Sequence, residues 1–426
     1  MKEPSPVSAS GLSVDGTVRA NSVQGWLDSR RAGLLDFCYR LIETPSPNPP
    51  GDERAVMAVI CEELSRLGLS DHKIFASDPR RPNLLLWLRG KHAGPVLLYN
   101  AHVDTKPVGD QRDRWETDPL KATLKEGRIY GLGAADMKAA VAAFVYALAA
   151  LKENTTLRGT ICLALTADEE AGSRFGAGYL VSEGKIRADM ALIGEPSGVK
   201  REWEFLHLGH RGSSCFKIKL HGTQGHSSIS NLIPTVNASL KMAEVMLAMR
   251  NDFHLRVTPH PFCQAGITLN IGVHARGGVF YGVTPGYAEF GCDIRVLPGV
   301  SRQGLERDLH AFLEQLRHND PSLDVKLEFE EGPLGWTEPT EVNPDLPIVR
   351  ALQSSSQVVL GHVPPFSLYP ATTDSAHFQT RAGIPTVPSF GPGIISLAHG
   401  PNEWVGVEST VQAAKIYALA ACDVLN

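Results

Sequence analysis

The chain has 426 residues and a net charge of −5, with 43% hydrophobic and 20% charged residues. This length predicts two or three domains with a sizeable core, and the composition is that of an ordinary soluble globular protein. Because no long basic run occurs, the sequence argues against binding to nucleic acid or to an anionic membrane surface.

The cysteines and the N-terminus narrow the class of protein further. Seven cysteines are scattered without any CxxC pair, which predicts reduced core thiols in a cytoplasmic protein rather than disulfides or a thiolate zinc site. Residues 1–23 lack a continuous apolar core, so we expect a loose tail and neither a signal peptide nor a membrane-spanning helix. The Ala-rich run Ala139–Leu151 is too short to cross a bilayer and predicts a packed helix.

In chain order, helical and extended patterns alternate over the first half of the sequence. Apolar residues at helical spacing predict helices over residues 24–41, 53–67 and 136–152. Short apolar runs predict strands over residues 83–88, 94–99, 160–166 and 190–193. This alternation is typical of an α/β domain with a mixed, largely parallel sheet and helices on both faces.

A different pattern occupies residues 204–331. Alternating strands over residues 215–220, 266–274, 286–296 and 325–330 are joined by helices over 234–249 and 302–317. The order β-α-β-β-α-β predicts a ferredoxin-like α+β domain. We therefore expect this domain to be inserted into a first domain made of residues 24–203 and 332–426.

Side chains able to bind metal follow three of the predicted strands. They are His102 and Asp104, then Glu169 and Glu170, then Glu195. Imidazole is a common metal ligand, and a nearby carboxylate often orients it. Taken one at a time, each of these side chains has an ordinary structural explanation, such as a buried hydrogen-bonded histidine or a solvated acidic loop. Because strand ends in a parallel sheet meet at one edge, we expect these side chains to share a site.

Three further candidates lie in turns or loops. Asp136 follows Gly131 and Gly133 and should open a helix, where an acid is either a ligand or a plain helix cap. His226 lies in a glycine-rich turn and His399 in an irregular loop, and the local sequence does not separate a functional from an incidental role.

Eight motifs occur in a fixed order and spacing. They are SPNPPGDE, NAHVDTKP, YGLGAADMKAA, TADEEAGS, IGEPS, GTQGHSS, DIRVLPG and HGPNEWV. Together they resemble the co-catalytic zinc metallopeptidase and aminoacylase family, whose members include acetylornithine deacetylase, succinyl-diaminopimelate desuccinylase, carboxypeptidase G and the aminoacylases. The resemblance covers about residues 41–405 of this chain.

The resemblance implies two divalent metal ions, zinc above all, with cobalt or manganese as alternatives. One ion would be held by His102, Asp136 and Glu195. The other would be held by Asp136, Glu170 and His399, so that Asp136 bridges the two.

The resemblance also implies catalytic roles. Glu169 would be the general base, and Asp104 would orient His102. His226, on the inserted domain, would enter the active site of a partner subunit, which implies a homodimer formed through a lid or dimerisation domain.

The implied substrate carries a carboxylate next to the scissile amide. Arg295 resembles the arginine that grips this carboxylate, and Asn270 and Gly278 are further substrate-binding candidates. The implied activity is deacylation of an N-acyl amino acid. A dipeptidase or glutamate-type carboxypeptidase with the same centre, acting on a short peptide, is one alternative, and a metal-free binding relative is another. One departure is Gly282, where many members have asparagine.

Overall fold

The computed structural model describes residues 14–425. They form two compact units. The first comprises the described residues up to Leu208 with Val342–Phe366 and the chain from Thr373 onwards, and the second comprises Gly209–Glu341 and Ser367–Thr372. The second unit contains the predicted inserted domain of residues 204–331 apart from its first five residues, and it also includes the chain up to Glu341.

The helices, in chain order, are α1 (Val14–Ser29), α2 (Arg31–Ile42), α3 (Arg54–Arg66), α4 (Ala139–Asn154), α5 (Ala177–Ser182), α6 (Ala238–Asp252), α7 (Arg302–Asn319), α8 (Gly332–Gly335), α9 (Pro347–Leu360) and α10 (Val407–Val424).

The strands are β1 (His72–Phe75), β2 (Asn83–Arg89), β3 (His92–His102), β4 (Thr123–Lys125), β5 (Arg128–Tyr130), β6 (Arg158–Thr166), β7 (Met190–Ile193), β8 (Pro196–Gly198), β9 (Leu206–His210), β10 (Gly212–His221), β11 (Gly225–His226), β12 (Thr268–Gly277), β13 (Val283–Thr284), β14 (Tyr287–Val296), β15 (Asp324–Phe329), β16 (Thr340–Glu341), β17 (Phe366–Tyr369), β18 (Thr386–Val387), β19 (Gly391–Ile394) and β20 (Trp404–Gly406).

The main sheet of the first unit has the strand order β1-β2-β6-β3-β7-β18. The pairs β6–β3, β3–β7 and β7–β18 are parallel, whereas β1–β2 and β2–β6 are antiparallel. The predicted α/β fold with a mixed, largely parallel sheet is confirmed. This order also makes β3 the neighbour of both β6 and β7, so the ends of these three strands lie side by side.

Helix α4 forms the centre of the first unit. All residues from Ala139 to Leu151 are buried, and Phe144 stacks between Tyr99 of β3 and Tyr417 of α10 at ring distances of 4.8 and 4.0 Å. Within the described residues, one helical stretch, Ala134–Asn154, has the length and composition to span a membrane, and it is wholly enclosed by the protein. The prediction of a packed core helix is confirmed.

The N-terminal region differs from the prediction. Residues 1–13 of the predicted tail lie outside the described residues, but from Val14 the chain is helical. Val23 and Leu27 are fully buried. Because residues four apart lie on the same face of a helix, these two form its buried side. Helix α1 thus replaces the loose chain expected for residues 14–23, and the single helix predicted over 24–41 is divided at Arg30.

The second unit contains a four-stranded antiparallel sheet with the order β12-β14-β10-β15. Helices α6 and α7 pack against one face of it, and the shared core includes Phe216, Phe290, Leu305 and Leu309. Chain order and strand order together give the ferredoxin-like arrangement, as the sequence predicts. Strand β12 lies at an edge of this sheet.

Candidate metal centre

Three predicted ligand groups meet at one edge of the main sheet. His102 is the last residue of β3 and pairs in register with Thr166, the last residue of β6. Glu169 and Glu170 follow β6 after two residues, and Glu195 follows β7 after one residue. The convergence expected from parallel strand ends is thus observed.

The first cluster surrounds the buried imidazole of His102. Its Nε2 atom lies 2.9 Å from Asp136 Oδ1 and 3.5 Å from Glu195 Oε1. Ligand atoms of His102, Glu169 and Glu195 all lie within 4.8 Å of one another. Glu169 is therefore close enough to act on the same bound species as the ligands of this cluster.

The second cluster contains Asp136, Glu170 and His399, whose ligand atoms also lie within 4.8 Å of one another. His399 Nε2 is 3.2 Å from Asp136 Oδ2 and 3.0 Å from Glu170 Oε1. Asp136 thus turns Oδ1 towards His102 and Oδ2 towards His399. A carboxylate placed in this way can bridge two cations, one on each side.

The electrostatics of the clusters suit cations. Burial, with the charge on Asp136, raises the pKa of Glu195 to about 7, and burial raises the pKa of Glu169 well above its usual range. Burial opposes protonation of His399, yet hydrogen bonds to Asp136 and Glu170 raise its pKa to about 10. Crowded acids beside imidazoles are an arrangement that divalent ions can neutralise in place of protons. The nitrogen and oxygen donors present therefore fit two divalent metal ions.

Asp104 fixes two parts of the site at once. Its backbone carbonyl accepts a hydrogen bond from His102 Nδ1 at 3.0 Å, while its carboxylate lies 3.6 Å from that nitrogen. The predicted orientation of His102 thus comes mainly from the backbone of Asp104. Its carboxylate instead accepts the backbone N–H groups of Glu169 and Glu170, each at 3.1 Å. With Nδ1 donating, Nε2 carries the lone pair that a metal requires.

The backbone at Asp136 corrects one expectation. Helix α4 begins at Ala139, and Asp136 has non-helical dihedrals of φ −122° and ψ 87°. The residue is therefore not the helix N-cap, because the turn Ala134–Lys138 interrupts the helical path before α4 begins.

Several buried polar groups behind the proposed ligands are not among the predicted site residues. Asn48 donates to the carboxylates of Asp104 and Asp168 at 2.8 and 3.1 Å, and Arg81 pairs with Asp168 and, at 3.2 Å, with Glu53. Asn48 and Asp168 lie inside the quoted motifs, whereas nothing in the local sequence marks Arg81. A further missed residue, Glu403, binds the backbone of the Asp136 turn.

The other four predicted site residues belong to the second unit. Arg295 and Asn270 lie on β14 and β12, and both lie on the sheet face opposite the apolar core. His226 is exposed on β11, and Gly278 has a left-handed φ of 70° just after β12.

The sheet edge with two ligand clusters around one shared carboxylate defines a metal-dependent hydrolase with a site for two divalent ions. Residues 98–423 match the model of peptidase family M20/M25/M40, and the chain belongs to this family. The protein is accordingly a hydrolase of amide or peptide bonds.

Individual relatives agree with this assignment. A succinyl-diaminopimelate desuccinylase of Thioalkalivibrio sulfidiphilus is 29% identical over 390 residues, which are 90% of this chain and 96% of the relative. Among solved structures, the dipeptidase Dug1p of Saccharomyces cerevisiae has a TM-score of 0.71 at 17% identity, covering 95% of this chain and 98% of its own. The Bacillus subtilis YXEP protein, a dinuclear metal-binding peptidase, has a TM-score of 0.65 at 16% identity, covering 93% of this chain and 99% of its own.

Proposed function

We propose that the protein is a zinc-dependent deacylase that hydrolyses the amide bond of an N-acyl amino acid. The observation that carries the proposal is Asp136, whose two carboxylate oxygens each face a different histidine, at 2.9 and 3.2 Å. Zinc is proposed because the donors are imidazole nitrogens and carboxylate oxygens. The deacylase activity is proposed because the desuccinylase relative is similar along nearly the whole chain.

The proposed metal ligands and Glu169 have different roles in the reaction. Two ions held by His102, Asp136 and Glu195, and by Asp136, Glu170 and His399, would polarise the scissile carbonyl and acidify a water. Glu169 takes the proton from this water and delivers it to the leaving amine. Its position is supported by the hydrogen bond from its backbone N–H to Asp104, which fixes the loop that carries it.

His226 is proposed to stabilise the developing oxyanion of the tetrahedral state. Its Nδ1 atom accepts the backbone N–H of Ser228 at 3.2 Å, so the proton of the neutral ring is placed on Nε2. An exposed Nε2–H group is a donor for an oxyanion, whether from the same chain or from a second copy.

Arg295 is proposed to bind the substrate carboxylate. Its guanidinium is partly exposed and contacts Asp293 at 3.1 Å, which leaves further N–H groups for a forked contact. Asn270 lies on the same sheet face and supplies an amide close to it. Gly278 is proposed to let the backbone approach the substrate closely, because its left-handed conformation favours glycine.

A homodimer through the second unit is also proposed. Leu240 and Leu247 of α6 are 59% and 53% exposed, and Val273 on the edge strand β12 is 57% exposed. An apolar surface beside an unpaired strand edge favours association with another chain. The seven free cysteines support a reducing, cytoplasmic location.

The test is a substrate panel measured on purified protein of known metal content. We expect about two zinc ions per chain, activity that a chelator removes, and preference for N-succinyl or N-acetyl amino acids. Faster cleavage of dipeptides would favour the alternative dipeptidase or carboxypeptidase activity. Protein that holds no metal and cleaves none of these amides would contradict the proposal and favour a binding role.

A further inference from the structure

The carboxylate of Glu403 is buried and faces a single turn of the backbone. Its Oε2 atom accepts the N–H of Gly133 at 3.0 Å, and its Oε1 atom accepts the N–H groups of Ala135 and Asp136 at 2.8 and 3.1 Å. The backbone carbonyl of Glu403 also accepts the N–H of Gly131 at 3.1 Å. Four hydrogen bonds donated to this one residue therefore hold the turn that carries Asp136.

This turn needs an external partner because it is not helical. Gly133 has a left-handed φ of 77°, and Asp136 has an extended backbone, so their N–H groups have no carbonyl of a preceding helical turn to bind. Successive N–H groups that point into one concave space form an anion-binding nest. A carboxylate 1% exposed is costly to bury unless such donors surround it.

We propose that Glu403 is a positioning residue for the metal centre. It fixes the Asp136 backbone so that the two carboxylate oxygens point to His102 and His399 respectively. This inference rests on the proposed role of Asp136 as the ligand shared by two metal ions.

The position of Glu403 in the chain extends its effect to the second cluster. His399 precedes it by four residues in the same segment, and His399 itself takes a left-handed φ of 62°. One short segment therefore supplies a ligand directly and holds another ligand through the backbone. Loosening Glu403 should disturb the distance between His399 and Asp136, on which the second cluster depends.

The experiment compares three variants of the full-length protein. Glu403→Gln keeps the shape and one acceptor oxygen but turns an NH₂ group towards an N–H donor, and Glu403→Ala removes the carboxylate. Glu202→Gln is the matched control, because Glu202 accepts the N–H of Gly406 at 2.8 Å, three residues from Glu403, without contacting a proposed ligand.

Metal-free protein is titrated with Zn²⁺ against a chromophoric chelator, and thermal unfolding is recorded with and without zinc. We expect Glu403→Gln to weaken the weaker-bound zinc about 10-fold and Glu403→Ala about 100-fold, the range typical of groups behind metal ligands. The rise in melting temperature on adding zinc should shrink accordingly. The control should bind zinc as the unaltered protein does.

Two results would overturn the inference. One is a folded Glu403→Gln variant that binds two zinc ions with unchanged affinity. The other is a decrease in melting temperature that is equally large with and without zinc. That result would show that Glu403 stabilises the fold and does not affect zinc binding. The glutamine variant decides the question if the alanine variant does not fold. Unaltered protein that binds fewer than two zinc ions would instead contradict the proposed function.

Discussion

Glu53 offers a sharp test of the electrostatics behind the metal centre. Its side chain is fully buried, and its carboxylate lies 3.2 Å from Nε of Arg81, a guanidinium that also pairs with Asp168. Burial, reinforced by the charge of Asp104, raises the pKa of Glu53 to about 8 despite Arg81. One cation thus faces two acids, and Glu53 retains its proton at neutral pH.

The raised pKa gives a definite sign to the pH dependence. Between pH 4.5 and 8 the unfolded chain has released this proton while the folded protein keeps it. The free energy of unfolding therefore falls as the pH rises through this range. At about 1.4 kcal/mol per pKa unit, the difference between 4.5 and about 8 sets an upper bound of about 5 kcal/mol on this loss.

We expect Glu53→Gln to remove this loss. At pH 5 the variant should match the unaltered protein within about 1 kcal/mol, because glutamine resembles a protonated glutamate. At pH 8.5 the variant should be the more stable protein by several kcal/mol.

The assay is urea unfolding at five pH values from 5 to 8.5 at constant zinc, followed by tryptophan fluorescence. Five of the six tryptophans belong to the first unit, so the signal reports mainly on that unit. Asp52→Asn is the control, because Arg54 keeps the pKa of the adjacent Asp52 at about 2, below the range tested. A difference between Glu53→Gln and the unaltered protein that stays constant across this range would refute the reasoning.

Three further predictions test the chemistry, the association and the core. Glu169→Gln should keep two zinc ions while the turnover number falls about 10²- to 10⁴-fold; loss of one zinc would instead make Glu169 a ligand. Leu240→Glu combined with Leu247→Glu should convert the proposed dimer to monomer in sedimentation velocity, and an unchanged sedimentation coefficient would place the interface elsewhere. Phe144→Ala should lower the free energy of unfolding by about 3–5 kcal/mol, whereas a loss below 1 kcal/mol would show that its aromatic stack contributes little.

Three of the proposed ligands could be grouped from the sequence, because parallel strands place the residues at their carboxyl ends side by side. His102, Glu170 and Glu195 each come after an apolar run, and parallel strands bring such positions to one edge whatever their separation in sequence. The strand order β6-β3-β7 confirms that the edge exists. Glu169 was predicted together with Glu170 for the same reason.

The backbone contacts behind the proposed ligands could not be predicted in this way. The carboxylate of Glu403 accepts backbone N–H groups, and so does the carboxylate of Asp104, for which the sequence indicates only an orienting role towards His102. Such contacts depend on turn dihedrals that the sequence does not specify. The sequence before Asp136 indicates a helix start, yet the chain stays extended there. Arg81 shows the same difficulty, because it binds Asp168 from 87 residues away and its own surroundings contain no motif.

The site therefore has two halves that are held by different forces. His102 ends a strand inside the hydrogen-bonded sheet, and Glu170 and Glu195 lie within four residues of the ends of its two neighbours, so the sheet register brings the three positions together. Asp136 and His399 lie in turns outside the strands, and the backbone of the Asp136 turn is held by a single buried carboxylate, that of Glu403. A turn can shift without breaking the sheet, so we expect the second half to adjust to the size of a bound ion more than the first, within the limits that the Glu403 hydrogen bonds set. Because both ions would share Asp136, any such adjustment on one side changes the ligand geometry on the other, and the two metal positions should bind cooperatively rather than independently.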